Sequence, residues 1–187
     1  MNPVIVVGAP RSGTSVIARL LQEKLGVMMD EGPVRKDARN RDGYYEDHRL
    51  CKINLDLFHR WDMGIAGKDT IDRQWTKEFY DWISERSSHY ERWGFKDPRM
   101  TGILHWVFQF FEGPLFIWPI RQTSQIIQSQ VTKLRYPFET AREYTVFCEK
   151  YLSKQLKGKK LYRINLSRRR SEKKLIKQLH TILKDLS

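Results

Sequence analysis

The pattern of apolar and polar residues alternates between short apolar runs and longer segments with helical spacing. Residues 4–7 are a run of four apolar side chains ended by Gly8, and Leu115–Ile120 is a second apolar run. Such runs, bounded by turn residues, are typical of buried parallel strands. Residues 93–96 and the alternating segment 161–166 are predicted to be further strands.

Between these runs, apolar residues recur at the spacing of a helix. After the first run, Val16, Ile17, Leu20, Leu21 and Leu25 share one helical face, and Gly26 ends the pattern. Further helices are predicted at about 44–60, 74–90, 99–111, 123–134, 138–156 and 172–186. Alternating strands and helices predict an α/β fold in which helices cover both faces of a parallel sheet. The carboxyl ends of the strands then lie along one edge, where ligands bind in such folds.

Length and composition agree with a single globular domain over residues 1–187. Apolar residues make up 40% of the chain, which is enough to build a packed core. Cys51 and Cys148 are too few for a disulfide framework, so we expect reduced thiols and a cytoplasmic protein. The most apolar stretch, residues 101–120, is interrupted by Glu112 and by Gly113-Pro114, and is not expected to cross a membrane. The chain opens without the basic and apolar regions of a signal peptide.

The net charge of +12 is concentrated near the carboxyl end. From Tyr151 onward the chain carries eight Lys and four Arg against two acidic residues. A basic segment suggests a polyanionic neighbour, such as nucleic acid, an anionic membrane or a phosphorylated cofactor. A solvated helix face explains the same charges equally well.

The strongest local signal lies between the first strand and the first helix. The segment Gly8-Ala9-Pro10-Arg11-Ser12-Gly13-Thr14-Ser15 has its glycines five residues apart, as in the phosphate-binding P-loop pattern. A turn of this kind directs backbone N–H groups inward, and the following helix adds its positive end. The segment therefore predicts an anion-binding loop, with hydroxyl donors from Ser12, Thr14 and Ser15.

One departure from the nucleotide triphosphatase pattern changes the expected anion. Thr14 stands where those enzymes place a lysine, and the positive charge lies inside the loop at Arg11. The strand at Leu115–Ile120 ends in Arg121 instead of an aspartate that would hold magnesium. A P-loop nucleotide or small-molecule kinase is therefore the weaker alternative, and no metal site is predicted.

The segment Pro10-Arg11-Ser12-Gly13-Thr14 resembles the phosphosulfate loop of the sulfotransferase superfamily, above all its tyrosylprotein and bacterial carbohydrate branches. These enzymes use PAPS (3'-phosphoadenosine 5'-phosphosulfate) and no metal. The family binds the 3'-phosphate with a strand-end Arg and a Ser eight residues later, which Arg121 and Ser129 match. The resemblance thus implies PAPS binding by Gly8, Pro10, Arg11, Ser12, Gly13, Thr14, Ser15, Arg121 and Ser129.

A third element of the resemblance is Lys96-Asp97-Pro98, which is similar to the Lys-Asp-Pro of tyrosylprotein sulfotransferases. In that family the lysine reaches the oxygen that bridges sulfur and phosphorus. A cation is needed there because negative charge builds up on the leaving phosphate. Lys96 and Arg11 are therefore the expected catalytic cations.

The base that takes the acceptor's proton is the least defined residue. The tyrosylprotein branch carries a Glu about twenty residues after the loop Arg, which points to Glu31. The alternatives that stay open are Asp30, Glu46, Asp47 and His48.

The expected function is sulfuryl transfer from PAPS to a hydroxyl or amine of a small molecule, glycan or peptide. The acceptor is expected to bind loops at 32–75 and 134–150, whose aromatic residues either stack on it or belong to the core. A basic nucleic-acid-binding module is an alternative from another class, but no nucleic-acid motif accompanies the charge.

Overall fold

A computed structural model describes residues 2–62, 71–167 and 171–186. Four parallel strands form one sheet in the order β2-β1-β3-β4. Their bounds are Val4–Val6 for β1, Gly94–Phe95 for β2, Leu115–Ile120 for β3 and Leu161–Asn165 for β4. The predicted parallel sheet is confirmed.

The helices of the described residues lie near the positions that the periodicity predicts, with three differences. They are α1 (Thr14–Leu25), α2 (His48–Asp62), α3 (Arg73–His89), the single turn α4 (Leu104–Val107), α5 (Thr123–Ser129), α6 (Phe138–Gln155) and α7 (Glu172–Leu183). Short 3₁₀ segments at Pro98–Ile103, Phe108–Phe110 and Lys184–Leu186 and a π-helical turn at Gln130–Leu134 complete the described elements.

The two faces of the sheet are packed with different side chains. Aliphatic residues from β1, β3, α1 and α7 fill one face, including Val4, Ile17 and Leu179. Aromatic residues from α3, α4 and β2 dominate the other, where Trp75 and Phe79 stack with ring centres 4.7 Å apart. Both faces are therefore buried, which explains why β1 and β3 are apolar throughout.

The segment after α1 runs alongside β2 and turns toward the same sheet edge. Met28 forms a parallel bridge with Trp93, and the Gly94 N–H donates to the Met28 carbonyl at 2.9 Å. Asp30 and Glu31 are thereby carried toward the carboxyl ends of β1 and β2.

Three predicted helices differ from the structure. The helix expected from residue 44 begins at His48, because Tyr45 has a left-handed backbone (φ 53°) that a helix cannot include. The helix expected at 99–111 is broken into 3₁₀ and α-helical turns. The helix expected at 123–134 changes to π-helical geometry at Gln130. Among the described residues, none of the helices has the length and apolar character needed to span a bilayer.

Candidate functional site

The loop between β1 and α1 has the backbone geometry of an anion cradle. Gly8 and Gly13 have φ values of 147° and 106°, which L-residues with side chains rarely adopt. A Cβ at Gly8 would lie 2.7 Å from Ser12 Oγ, and one at Gly13 would lie 2.4 Å from Leu166. Arg11 is also left-handed (φ 73°), a conformation uncommon outside glycine that tends to persist at functional sites. The loop thus requires glycine at both ends.

The polar groups of the loop fit an anion. Gly13 is the N-cap of α1 and offers no side chain, so the first N–H groups of the helix are left for an external acceptor. Ser12 is 1% exposed, and its Oγ has no hydrogen-bond partner among the described residues. A buried hydroxyl without a partner is unfavourable, and an oxygen of a bound phosphate or sulfate would satisfy it.

Arg11, Ser129 and Arg121 lie close together beside the loop. Arg11 Nε donates to Ser129 Oγ at 3.1 Å, and Arg121 Nη1 donates to the Arg11 carbonyl at 3.2 Å. The Gln130 side chain donates to the Pro10 carbonyl at 2.9 Å, which ties the π-helical turn to the same loop. Two guanidinium groups and a hydroxyl therefore gather beside the cradle.

Lys96 reaches the cradle from the end of β2. Its side chain is 1% exposed, and its Nζ donates to Ser15 Oγ at 3.3 Å and to Glu46 Oε1 at 2.5 Å. Burial lowers the pKa of Lys96, and the negative charge of Glu46 opposes that shift. A buried cation thus stands beside the loop in which Thr14 occupies the place of the usual lysine.

The two residues after Lys96 fix its position. Asp97 is buried and caps the following 3₁₀ turn by accepting from the Arg99 N–H at 3.0 Å. Pro98 occupies the first turn, where its fixed φ and missing N–H are tolerated. Asn54 donates to the second Asp97 oxygen at 2.8 Å and accepts from the Trp75 indole at 3.0 Å. Asp97 therefore has a supporting role that anchors the end of β2 to the aromatic core.

Glu46 is the carboxylate that contacts Lys96. It is 8% exposed and also accepts from Arg35 Nη2 at 3.0 Å. Asn40, from the same stretch of chain, donates to Ser15 Oγ at 3.2 Å. Because Asn40 and Lys96 both donate to Ser15 Oγ, the Ser15 hydroxyl proton is free to point toward an anion in the loop.

Glu31 has a different neighbour. Its carboxylate, 38% exposed, accepts from Arg86 Nη1 at 3.0 Å, and the buried Arg86 also bonds Asp47 at 2.9 Å. The structure thus brings Glu46, and not Glu31, into contact with Lys96. The assignment of Glu31 as the base stays a prediction.

The other candidates for the base are placed as follows. Asp30 is buried beside His48 with its Oδ2 unpartnered in the described part of the chain, and burial raises its pKa. Asp47 caps α2 by accepting from the Leu50 N–H and also accepts from the Trp82 indole. These bonds make Asp47 a structural residue.

Sequence comparison identifies the family. Residues 3–174 match the model of the Sulfotransferase family. The chain belongs to this family. No curated protein sequence matches the chain.

Two solved structures share the fold of this sulfotransferase-family protein. TT1252 from Thermus thermophilus superposes with a TM-score of 0.59 at 11% identity, over 100% of both chains. The deoxyadenosine kinase from M. mycoides, solved with bound dATP, gives a TM-score of 0.57 at 11% identity, over 97% of this chain and 99% of that chain. At such identities the likeness concerns the fold alone.

Three site residues were missed by sequence reasoning: Arg35, Asn40 and Gln130. Asn40 and Gln130 contact loop residues 25 and 120 positions away, and Arg35 contacts Glu46, the partner of Lys96, so no local pattern marks these residues. Of the aromatic residues considered for acceptor stacking, Tyr45 and Trp75 are buried core residues, and the side chain of Trp61 lies outside the described residues. Residues 168–170 of the basic segment also lie outside the described residues.

No group of three metal-ligating side chains occurs in the ranges the structure describes.

Proposed function

We propose that this member of the sulfotransferase family uses PAPS and transfers its sulfuryl group to a hydroxyl or amine of an acceptor. The observation that carries the proposal is the position of Lys96. A cation from a separate strand contacts Ser15 in a loop where Thr14 replaces the lysine of nucleotide triphosphatases. The proposal also rests on the cradle geometry and on the unpartnered Ser12 hydroxyl.

When PAPS is bound, the acceptor oxygen or nitrogen would form a bond to sulfur while the bond between sulfur and the bridging oxygen breaks. The electrons of the broken bond would stay on the 5'-phosphate, and a base would take the proton of the acceptor. The α1 N-terminus, Ser12 and Arg11 would hold the 5' end of the donor. Lys96 would exchange its contact with Glu46 for the departing oxygen, where its charge stabilises the transition state. Catalysis would then consist of positioning and electrostatic stabilisation.

Arg121 and Ser129 would select the donor by its 3'-phosphate. Ser129 Oγ accepts from Arg11 in the structure, so its own proton is left to donate to an anion. Arg121 lies against the Arg11 carbonyl and adds a second cation at this position. A nucleotide without a 3'-phosphate would leave these groups without a ligand.

For the base, contact with Lys96 favours Glu46 over Glu31. A carboxylate bonded to Lys96 lies next to the cation assigned to the reacting atoms, and Arg35 keeps it in place when Lys96 moves. Glu31 remains the competing assignment, with Arg86 as its partner.

Thermal denaturation with added nucleotides tests the function. A ligand that binds the folded state raises the melting temperature by mass action. We expect stabilisation by PAPS and by PAP, the product without the sulfuryl group, and little effect of ATP or GTP with magnesium. Stabilisation by ATP with magnesium and not by PAP would support a kinase and contradict the proposal.

Two matched substitutions test the base. Glu46→Gln keeps the shape of the side chain but removes its basicity, so transfer should fall by roughly 10²–10⁴-fold while PAP still binds. Glu31→Gln should leave transfer within a few-fold of the unmodified protein. If Glu31→Gln abolishes transfer and Glu46→Gln does not, Glu31 is the base.

A further inference from the structure

The exposed side of α7 carries much of the positive charge near the carboxyl end, and the proposed sulfuryl transfer does not use it. Lys173, Lys177, His180 and Lys184 are exposed and follow one another at intervals of four, three and four residues. Residues at this spacing lie on one side of a helix. At a rise of about 1.5 Å per residue they form a row roughly 16 Å long. We call these four residues, with the neighbouring Lys174, the basic face of α7.

The opposite side of α7 is fixed in the core. Leu175, Leu179 and Ile182 are buried against the aliphatic face of the sheet. The helix therefore cannot turn its lysines inward, and its apolar side is already occupied by the rest of the protein. A partner of the basic face would be attracted by charge.

The acidic residues at the two ends of α7 are bonded to groups outside the basic face. Glu172 accepts from Arg19 Nη2 at 2.7 Å, and the Asp185 carboxylate accepts from the Tyr162 hydroxyl. The lysines within α7 form no ion pair in the described part of the chain. Grouped charges without counter-charges attract an anionic partner.

The turn between α6 and β4 adds further lysines at the end of the row. Lys160 Nζ donates to the Asp185 carbonyl, which brings this turn to the end of α7. Lys157 and Lys159 are exposed in the same turn. The basic face and the turn therefore adjoin and form one cationic surface.

The types of side chain on the basic face favour an anionic membrane over a nucleic acid. Its cations are lysines and a histidine, and α7 contains no arginine. Arginine recognises single phosphate groups bidentately, whereas lysine acts as a point charge. The helix also contains no Phe, Tyr or Trp that would stack on a base. Point charges in a row suit a surface on which the anions are mobile.

A cavity at the end of the row has the mixed lining that an amphiphile requires. Its volume is about 290 Å³, and it lies at the amino ends of β1 and β2. Three exposed basic residues and three aliphatic residues are among those that line it: Arg92, His180, Lys184, Leu25, Val27 and Leu183. One acidic residue, Glu91, also lines it. The volume is close to the lower limit of roughly 300 Å³ for small-ligand sites, which is enough for part of a lipid.

The cavity separates the two kinds of polyanion further. A lipid combines an anionic headgroup with aliphatic carbons, so it matches both the basic and the aliphatic lining residues. The backbone of a nucleic acid has phosphate groups but no aliphatic chain to place beside Leu25 and Val27.

We propose that α7 docks this protein on an anionic phospholipid surface. The basic face would pair with the headgroups, and the cavity at its end would hold part of one lipid. The proposal does not depend on PAPS being the donor. Each lysine near such a surface adds a modest attraction, so several act together and salt weakens them.

Sedimentation with vesicles tests the proposal. We expect the protein to bind phosphatidylcholine vesicles that contain about one third phosphatidylserine, and not vesicles of phosphatidylcholine alone. Binding should be lost at about 0.5 M NaCl. The test variant combines Lys173→Gln, Lys174→Gln and Lys177→Gln, and its affinity for the anionic vesicles should fall by roughly 30-fold or more.

Two control variants separate position and charge from structure. Lys52→Gln with Lys77→Gln and Lys150→Gln removes the same charge from exposed positions on α2, α3 and α6, which pack on the aromatic face of the sheet. This variant should lose less than about threefold in affinity, because its substitutions lie away from the docking surface. Arginine at positions 173, 174 and 177 keeps the charge and should keep the binding.

Several results would overturn the membrane proposal. They are equal losses in the two glutamine variants, an equal loss in the arginine variant, or equal binding to vesicles of phosphatidylcholine alone. Tighter binding of a fluorescent DNA duplex than of the anionic vesicles, at the same salt concentration, would overturn it in favour of a nucleic acid.

The cavity is tested separately with a soluble lipid. Dihexanoylphosphatidylserine, kept below the concentration at which it forms micelles, should bind in calorimetry. Glycerophosphoserine, which has the same headgroup without chains, should bind far more weakly. Equal binding of the two compounds, or binding of neither, would overturn the role of the cavity.

Discussion

Strands β1 and β2 lie side by side and each leads to a cation at the same edge of the sheet, but the two cations are held in opposite ways. Arg11 lies in the loop after β1 with a left-handed backbone and is half-buried. In the described part of the chain its side chain bonds to a neutral hydroxyl, that of Ser129, through its Nε. Lys96 directly follows β2, is 1% exposed and is already paired with Glu46. The first cation is available to an anion as it stands, whereas the second must exchange a partner. This difference suggests that Arg11 contributes to binding and Lys96 mainly to the transition state.

The largest expected effect comes from removing the β2 cation. Lys96→Met should lower kcat by roughly 10²–10³-fold, because its contact strengthens as charge develops on the leaving group. PAP affinity should change only a few-fold. Arg11→Met is the matched variant and should weaken PAP binding and transfer together. Steady-state kinetics measures kcat, and calorimetry measures the affinity for PAP. If Lys96→Met lowered the PAP affinity as much as kcat, the difference between the two cations would be contradicted.

The close approach of β1 and β2 can be tested through stability. A Cβ at Gly94 would lie 2.3 Å from the Val4 carbonyl oxygen and 2.9 Å from Met29 Sδ. Gly94→Ala must therefore push the strands apart, and we expect the free energy of unfolding in urea to fall by roughly 1–3 kcal/mol. Gly102→Ala is the control, since nothing lies within 4 Å of its Cβ, and it should stay within about 0.5 kcal/mol. Equal losses would show that β1 and β2 are not packed this tightly.

The smallest expected effect is a shift in pH dependence. Burial lowers the pKa of Lys96 from the ordinary lysine value of 10.5, and only the protonated form carries the charge that transfer needs. As the pH rises through that lowered pKa, kcat/KM should fall. Glu46→Gln removes a charge that raises the pKa, so in the residual activity of that variant the decline should begin at lower pH. Lys96→Arg should abolish the decline in kcat/KM, because arginine stays protonated over this pH range. If the decline persisted in this variant, it would come from the titration of another group.

The fold and the loop could be predicted because both depend on neighbouring residues in the chain. An apolar run, a glycine-rich turn and a helix adjoin one another at Gly8–Ser15, and the sheet follows from the alternation of strands and helices. Arg121 and Ser129 came from the family resemblance, and the structure places them at the end of β3 and on α5.

The contact between Lys96 and Glu46 could not be predicted, because the two residues are 50 positions apart and meet only through packing. The resemblance to the tyrosylprotein branch pointed to Glu31, whose partner in the structure is Arg86, 55 positions away on α3. Tyr45 delays the start of the expected helix to His48 through its left-handed backbone, for which an aromatic residue gives no signal. Charge pairs between residues far apart in the chain and local backbone strain are therefore the features that could not be predicted from the sequence.

Calorimetric comparison of PAP with ADP, with and without magnesium, tests the central claim most directly. Charge-assisted bonds contribute roughly 1.5–3 kcal/mol each, so Arg121 and Ser129 together should favour PAP by at least about tenfold. The preference should disappear in the double variant Arg121→Met with Ser129→Ala, and magnesium should have no effect. Equal affinity for PAP and ADP, or a requirement for magnesium, would contradict the proposal that this chain is a PAPS-dependent sulfotransferase.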